Sequence, residues 1–308
     1  MTAEIHRPAG RHASRSALRV CAAGVLLLTA CGAGPSSTPG GQASPPGVPL
    51  VPSVPAEAGD GTVATRRLPV YWVGAADGEQ RLFREFRDAA ERSAAVDPIA
   101  AAAGLMTSSA PADPDYRTLW SPAQELGIAT SPEGTITVDL PAEAFRPGLD
   151  EEGARLALQQ LVHTVTAAAG TAGLLPSAAD AEVVVLVDGR PDAEVFGSVR
   201  LDEPLRPDRG LEAPVWLLDP QQGSRPEGVV TISGRVLAEV TGSRWTVTDR
   251  NGATARSGDV EPVAREDGST EFRAELELDP GAYELAVMGR DGAGEVVRDD
   301  KDVEVVAR

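Results

Sequence analysis

Acid–base or nucleophilic chemistry needs a small set of side chains, and in this chain of 308 residues they are scarce: three histidines and two cysteines. His6, His12 and Cys21 lie in the first thirty residues, a leader marked for removal, which leaves His163 and Cys31. A histidine general base needs a nucleophile beside it, and no Gly-x-Ser-x-Gly turn supplies a serine. His163 falls inside a helical apolar pattern and reads as a half-buried helix residue. One histidine and no spare thiol exclude the ordinary zinc sites, while carboxylates alone leave calcium open. Asp249-Arg250-Asn251-Gly252 has Ala253 and Ala255 where further calcium ligands would be needed, so it reads as a hairpin turn. Asp299, Asp300 and Asp302 read as a charged guard on a strand edge. Gly32-Ala33-Gly34 and Gly292-Ala293-Gly294 lack the third glycine and the following helix of a phosphate loop. Acids for glycoside cleavage are plentiful, but nothing singles out a pair. The expectation is a protein with no enzymatic activity, no cofactor and no metal site.

The one cysteine left has a different chemistry. Arg7, Arg11, Arg15 and Arg19 precede an apolar run from Val20 to Ala30, too short to span a bilayer and ending in small residues, as in a secretory signal. Leu28-Thr29-Ala30-Cys31 resembles the lipobox of bacterial lipoproteins. That resemblance implies cleavage between Ala30 and Cys31, and acylation of Cys31 as the first residue of the mature chain. An ordinary signal peptide with an incidental cysteine is the alternative. Residues 31–66 then form a tether: prolines from Pro35 to Pro55 alternate with Gly, Ser and Ala, a composition too poor in apolar surface to fold. Extended, it reaches on the order of 100 Å. The chain is expected to sit at the cell membrane, lipid-anchored and facing outward.

The formal charge is −18, and the leader holds four arginines against one acid, so the mature chain is more acidic still. Such a body repels nucleic acid backbones and anionic lipid surfaces. With Cys31 acylated, no thiol remains for a disulfide. Lys301 is the sole lysine.

Between residues 67 and 201 the pattern predicts a mixed α and β domain. Leu68 to Val73 and Arg81 to Arg87 read as a hairpin. Asp97-Pro98 opens a helix, with Asp97 as cap and Pro98 at the first position, and Ile99, Ala102, Ala103 and Met106 share one face. Glu125 to Thr130 and Thr135 to Leu140 read as short strands. Asp150 to Ala169 is the clearest helix, with acids at its start and one apolar stripe of Leu158, Leu161, Val162, Val165, Ala168 and Ala169. Val183 to Val187, apolar on both faces, reads as a central buried strand. This order, with Asp97-Pro98-Ile99, the Tyr116 to Pro122 loop, Gly134 to Leu140, Gln159 to Thr166 and Val187 to Pro191, resembles the sporulation and spore germination domain called GerMN. The family usually has larger aliphatics where this chain has Ala100 to Ala103.

A bridge rich in Pro and charge, Asp202 to Pro214, leads to residues 213–308, where about seven short alternating strands predict an antiparallel β-sandwich. Phe272, Ala274, Leu276 and Leu278 alternate with charged residues, and the last strands are expected over Glu295 to Val297 and Val303 to Val306. Val230-Thr231-Ile232-Ser233-Gly234, Trp245-Thr246-Val247 and Asn251-Gly252 are similar to the immunoglobulin-like domain of bacterial spore germination. The fold class is therefore α+β: a GerMN-type domain followed by an immunoglobulin-like sandwich.

Aromatic residues are few. Trp72, Trp216 and Trp245 fall in predicted strands and read as core. Tyr116 and Trp120, in a loop, mark a candidate contact surface, the alternative being a loop that plugs the sheet. The resulting expectation is a non-enzymatic adaptor or assembly component at the cell envelope. Its partner would be an envelope protein or a second copy of itself, linked to sporulation, germination or envelope signalling. A peptidoglycan or other glycan-binding module is the alternative.

Overall fold

The computed structural model describes residues 65–307 apart from 77, 91–96, 147, 176, 178, 179, 262 and 265–269. The signal, Cys31 and most of the tether lie outside the described residues. Ala58–Arg308 is one compact unit. Among the described residues no helix is long and apolar enough to cross a membrane.

The described residues begin with a hairpin of β1 (Thr65–Ala76) and β2 (Glu79–Ala90), longer than the apolar runs predict, in a register that pairs Thr65 with Ala90 and Ala76 with Glu79. Pro69 does not interrupt it. The N–H of its partner Phe86 points away from β1, to Gln221 Oε1 at 2.9 Å, so the ladder needs no N–H at Pro69. Helix α1 (Pro98–Ser108) starts where predicted, with the Asp97 carboxylate accepting from Ile99 N and Ala100 N. Its face of Ile99, Ala102, Ala103 and Met106 is buried.

Strands β3 (Gly127–Thr130) and β4 (Thr135–Leu140) are antiparallel, and β5 (Glu182–Val187) lies parallel to β4. Parallel neighbours need a crossover, and helix α2 (Glu151–Thr171), capped by Asp150, supplies it. The expectation for β5 is corrected here: it ends the three-stranded sheet instead of occupying its centre. Val183, Val185 and Val187 are buried, and Val184 and Leu186 are half-buried. Its outer edge is partly covered by Leu205, which exchanges both backbone hydrogen bonds with Val183 at 2.8 Å.

Helix α2 is buried far beyond its apolar stripe. Gln160 and Thr164, one turn apart, face the open edge of β1: Thr164 Oγ1 accepts from Tyr71 N at 3.0 Å and Gln160 Nε2 donates to Tyr71 O at 2.9 Å. Two polar side chains thus do for β1 what a neighbouring strand would do. Short strands β6 (Glu194–Val195) and β7 (Val199–Arg200) follow.

The rest is two four-stranded antiparallel sheets. One orders β12 (Val263–Ala264), β13 (Thr270–Glu277), β9 (Val229–Val236) and β8 (Val215–Asp219). The other orders β11 (Thr254–Asp259), β10 (Thr241–Asp249), β14 (Gly281–Arg290) and β15 (Val296–Val305). Leu217, Ile232 and Phe272 from the first sheet meet Val247, Leu285 and Val303 from the second in one core. β15 is a single strand where two were expected, because Asp299 and Lys301 continue the inward series of Val297, Val303 and Val305. Trp216 and Leu218, on the opposite face of β8, join the core of the first part, so the two parts share apolar contact.

Close approach explains one glycine. A Cβ on Gly234 would lie 2.5 Å from both the Phe272 ring and the Trp216 carbonyl oxygen. Gly234→Ala should therefore lower stability by about 1–3 kcal/mol, read as a drop in the urea midpoint. Gly292→Ala, with nothing within 4 Å, should leave the midpoint unchanged.

Candidate functional site

The structure corrects the expected contact surface. Trp120 is 0% exposed and Tyr116 only 8%. Trp120 packs against Phe145 and Phe196, ring centroids 5.1 and 5.3 Å away, and its Nε1 donates to Ala157 O of α2 at 3.0 Å. Its loop plugs the core. Tyr116 is held over Gly74, where a Cβ would come within 2.8 Å of its ring, and stacks on Phe83 at 4.7 Å. Paired backbone bonds between Val73 and Arg117, both 2.9 Å, fix that loop to β1. The Tyr116 hydroxyl then points at the second part of the molecule.

There it meets a buried charge cluster that sequence reasoning missed. Lys301, 1% exposed, uses all three ammonium protons. It donates to Asp113 Oδ2, to Tyr116 Oη at 2.6 Å and to Asp299 Oδ1 at 3.3 Å. Tyr116 Oη donates to Asp299 Oδ1 at 2.6 Å, and Asp299 Oδ2 accepts from Leu217 N at 2.7 Å. The Asp113 turn is held in turn by buried Glu85, whose two oxygens accept from Ala112 N and Asp113 N at 3.0 and 2.9 Å. Asp113 and Tyr116 belong to the first part; Asp299 and Lys301 belong to β15. The strand-edge guard expected at Asp299 is therefore corrected: the carboxylate faces inward, and only its neighbours turn outward.

Burial opposes the charge on Lys301, but Asp299 and Asp113 outweigh it and hold the ammonium above the usual lysine range. Burial dominates at Asp299 and raises its carboxyl despite Lys301 and Tyr116. The Tyr116 phenol is pushed well up by burial and by Asp299, so it stays a donor. Signal for this cluster existed in the sequence: the sole lysine stands at an inward position of an alternating strand. Asp113, far away along the chain, carried none.

A second polar cluster lies at the same junction. Glu212 Oε1 faces the Tyr71 hydroxyl and His163 Nδ1, each at 3.5 Å, and Arg235 at 4.0 Å. Burial works against ionisation of Glu212, but His163, Arg235 and Arg84 prevail and lower its pKa. Burial, aided by Glu212, raises the Tyr71 phenol to about 12. His163 Nε2 lies 3.1 Å from Asp208 O; a carbonyl only accepts, so Nε2 carries a proton. Both ring nitrogens of His163 thus face protein groups. Gln159, one turn earlier, binds Arg206 O at 3.0 Å and Asp208 N at 2.8 Å. The bridge is accordingly clamped along α2, and Ala213 N closes it onto Leu82 O at 2.9 Å.

The Asp249 turn is a hairpin, its carboxylate accepting from Asn251 N and Ala253 N at 2.8 and 2.9 Å. Among the described residues no group of three or more His, Cys, Asp or Glu is arranged to hold a metal ion.

Residues 69–193 match the Germane family, described as sporulation and spore germination. The tandem GerMN domains of the sporulation protein GerM from Bacillus subtilis are 20% identical, with a TM-score of 0.36, covering 51% of this chain and 51% of that one. The chain thus spans about half the length of that structure. Fibronectin(III)-like modules of Clostridium thermocellum CbhA are 19% identical with a TM-score of 0.22, over 30% of this chain and 96% of theirs. CopC from Methylosinus trichosporium OB3b is 17% identical with a TM-score of 0.25, over 30% of this chain and 95% of its own. None of the curated proteins matches the chain.

Lys301→Met leaves Asp113 and Asp299 buried without their cation and should cost about 3–5 kcal/mol in urea unfolding. Adding Asp113→Asn and Asp299→Asn should restore most of that loss. Acid has a separate effect. Burial raises Asp300 to about 6 and raises Asp299, so the folded state takes up protons before the unfolded state does. Stability from these two groups is complete below the unfolded pKa and is lost as pH rises through the folded value. Glu212, lowered in the fold, acts oppositely and loses its contribution only in stronger acid. The melting temperature should therefore rise between about pH 7 and pH 5 and fall below about pH 4. In Asp300→Asn the rise should shrink.

Proposed function

We propose that this chain is a lipid-anchored extracytoplasmic protein that acts in sporulation or spore germination by binding protein partners at the cell envelope. The match of residues 69–193 to the Germane family supports that setting. The leader, Leu28-Thr29-Ala30-Cys31 and the proline-rich tether support the address. The adaptor reading is carried by the fused junction: buried Lys301 joins Asp113 and Tyr116 of the first part to Asp299 of the second. A partner would thus meet one compact unit in which both parts are joined. His163 is committed to holding Asp208 and Glu212, which accords with binding in place of catalysis. Burial of Tyr116 and Trp120 removes the aromatic platform that a wall-binding module would have offered at that loop.

In cells, Cys31→Ala should move the protein from the membrane fraction to the soluble fraction. Crosslinking of the native protein, followed by mass spectrometry, should recover a defined membrane protein or multiples of the chain itself, and Cys31→Ala should abolish that product. Recovery of wall fragments alone would overturn the adaptor reading.

A further inference from the structure

The turn between β10 and β11 holds Asn251, the sole asparagine of the chain, directly before Gly252, and both residues are exposed. An asparagine in that position can react with its own main chain. The Gly252 nitrogen gives up its proton and attacks Asn251 Cγ, the Cγ–Nδ2 bond breaks, and Nδ2 takes a proton from solvent and leaves as ammonia. Water then adds across one C–N bond of the cyclic imide. Depending on which bond opens, the product is an aspartate or an isoaspartate whose main chain runs through the side-chain carboxyl. Glycine removes the usual steric obstacle: it has no Cβ, and nothing lies within 4 Å of where one would stand.

The folded turn opposes each step. Gly252 N donates to Asp249 O at 2.9 Å, so the attacking nitrogen is tied to a carbonyl and its proton is in use. Asp249 Oδ1 accepts from Asn251 N at 2.8 Å and from Ala253 N at 2.9 Å, which fixes the main chain on both sides of Gly252. Asp249 Oδ2 accepts from Asn251 Nδ2 at 3.4 Å and so holds the amide that would have to leave. The backbone donors at Ala253 and Asn251 keep the Asp249 carboxyl below the usual aspartate range. Its negative charge beside Gly252 N disfavours loss of a proton there.

We infer that Asn251 is a site of spontaneous deamidation that Asp249 restrains, so that the reaction runs when this turn opens. β11 is the outer strand of its sheet, and its end can fray without opening the core. The product does not suit the closed turn. A new carboxylate would face Asp249 Oδ2, where Nδ2 now donates, and an isoaspartate lengthens the main chain between paired β10 and β11. One added negative charge then marks chains whose hairpin has opened. The inference does not rest on the adaptor reading.

The test keeps the full mature chain in mildly alkaline buffer and follows acidic species by isoelectric focusing and Asn251 by peptide mass spectrometry. Folded wild type should deamidate about tenfold or more slowly than the same chain in urea. Asp249→Ala, still folded, should speed the reaction about threefold or more, and Asp249→Ser, which keeps one acceptor oxygen, should recover part of the restraint. Isoaspartate among the products supports the imide route, and aspartate alone would overturn it. Equal rates with and without urea, a rate unchanged by Asp249→Ala, or an intact Asn251 in urea would each overturn the inference. If Asp249→Ala fails to fold, Asp249→Ser and the comparison with urea keep the test decisive.

Discussion

The ammonium of Lys301 has no access to water, and the arrangement of both halves of this protein follows from how that charge is met. Its partners come from places far apart in the chain. Asp113 is positioned by Glu85 of β2, Tyr116 by Gly74 and Phe83, and Asp299 by its register in β15. A buried ion cluster of this kind returns little net stability over an apolar contact, since desolvating the charges consumes most of their attraction. Asp299 and Lys301 share β15 and pair with each other, and the docking seen here adds Asp113 and Tyr116 of the first part to that pair.

The same logic runs through α2. Most of its apolar stripe lies in one core with residues of β1, β4 and β5, as an amphipathic helix on a sheet does. Its remaining faces carry polar residues at helical spacing that are buried too. Gln160 and Thr164 close the edge of β1, and Gln159 and His163 hold the segment that leads to the sandwich. From Leu156 to Thr166 the polar side of this helix does not face water. It acts as a connector between a sheet edge on one side and an irregular segment on the other.

These connections convert what composition suggests is a linker into structure. The segment from Asp202 to Pro214 is rich in proline and charge, yet Leu205 pairs with Val183, Asp208 with Gln159 and Ala213 with Leu82.

Local physics was legible in the sequence. Asp97 as a helix cap, the acidic start of α2, the buried face of α1, the alternation of β4 and β13 and the Asp249 turn all depend on residues near one another in the chain. The match over residues 69–193 agrees with a resemblance read from the order of such elements. What the sequence could not decide was the partner of each exposed-looking group. Trp120 and Tyr116 lie in a loop and carry no local mark of burial, and Val183 to Val187 looks central because both of its faces are apolar. Lys301 stood out as the sole lysine, but the expected strands stopped short of it on both sides, and Asp113 and Tyr116 are more than 180 residues away from it. Short-range hydrogen bonding and periodicity are properties of the chain, whereas the pairing of buried charges is a property of the surfaces that folding brings together.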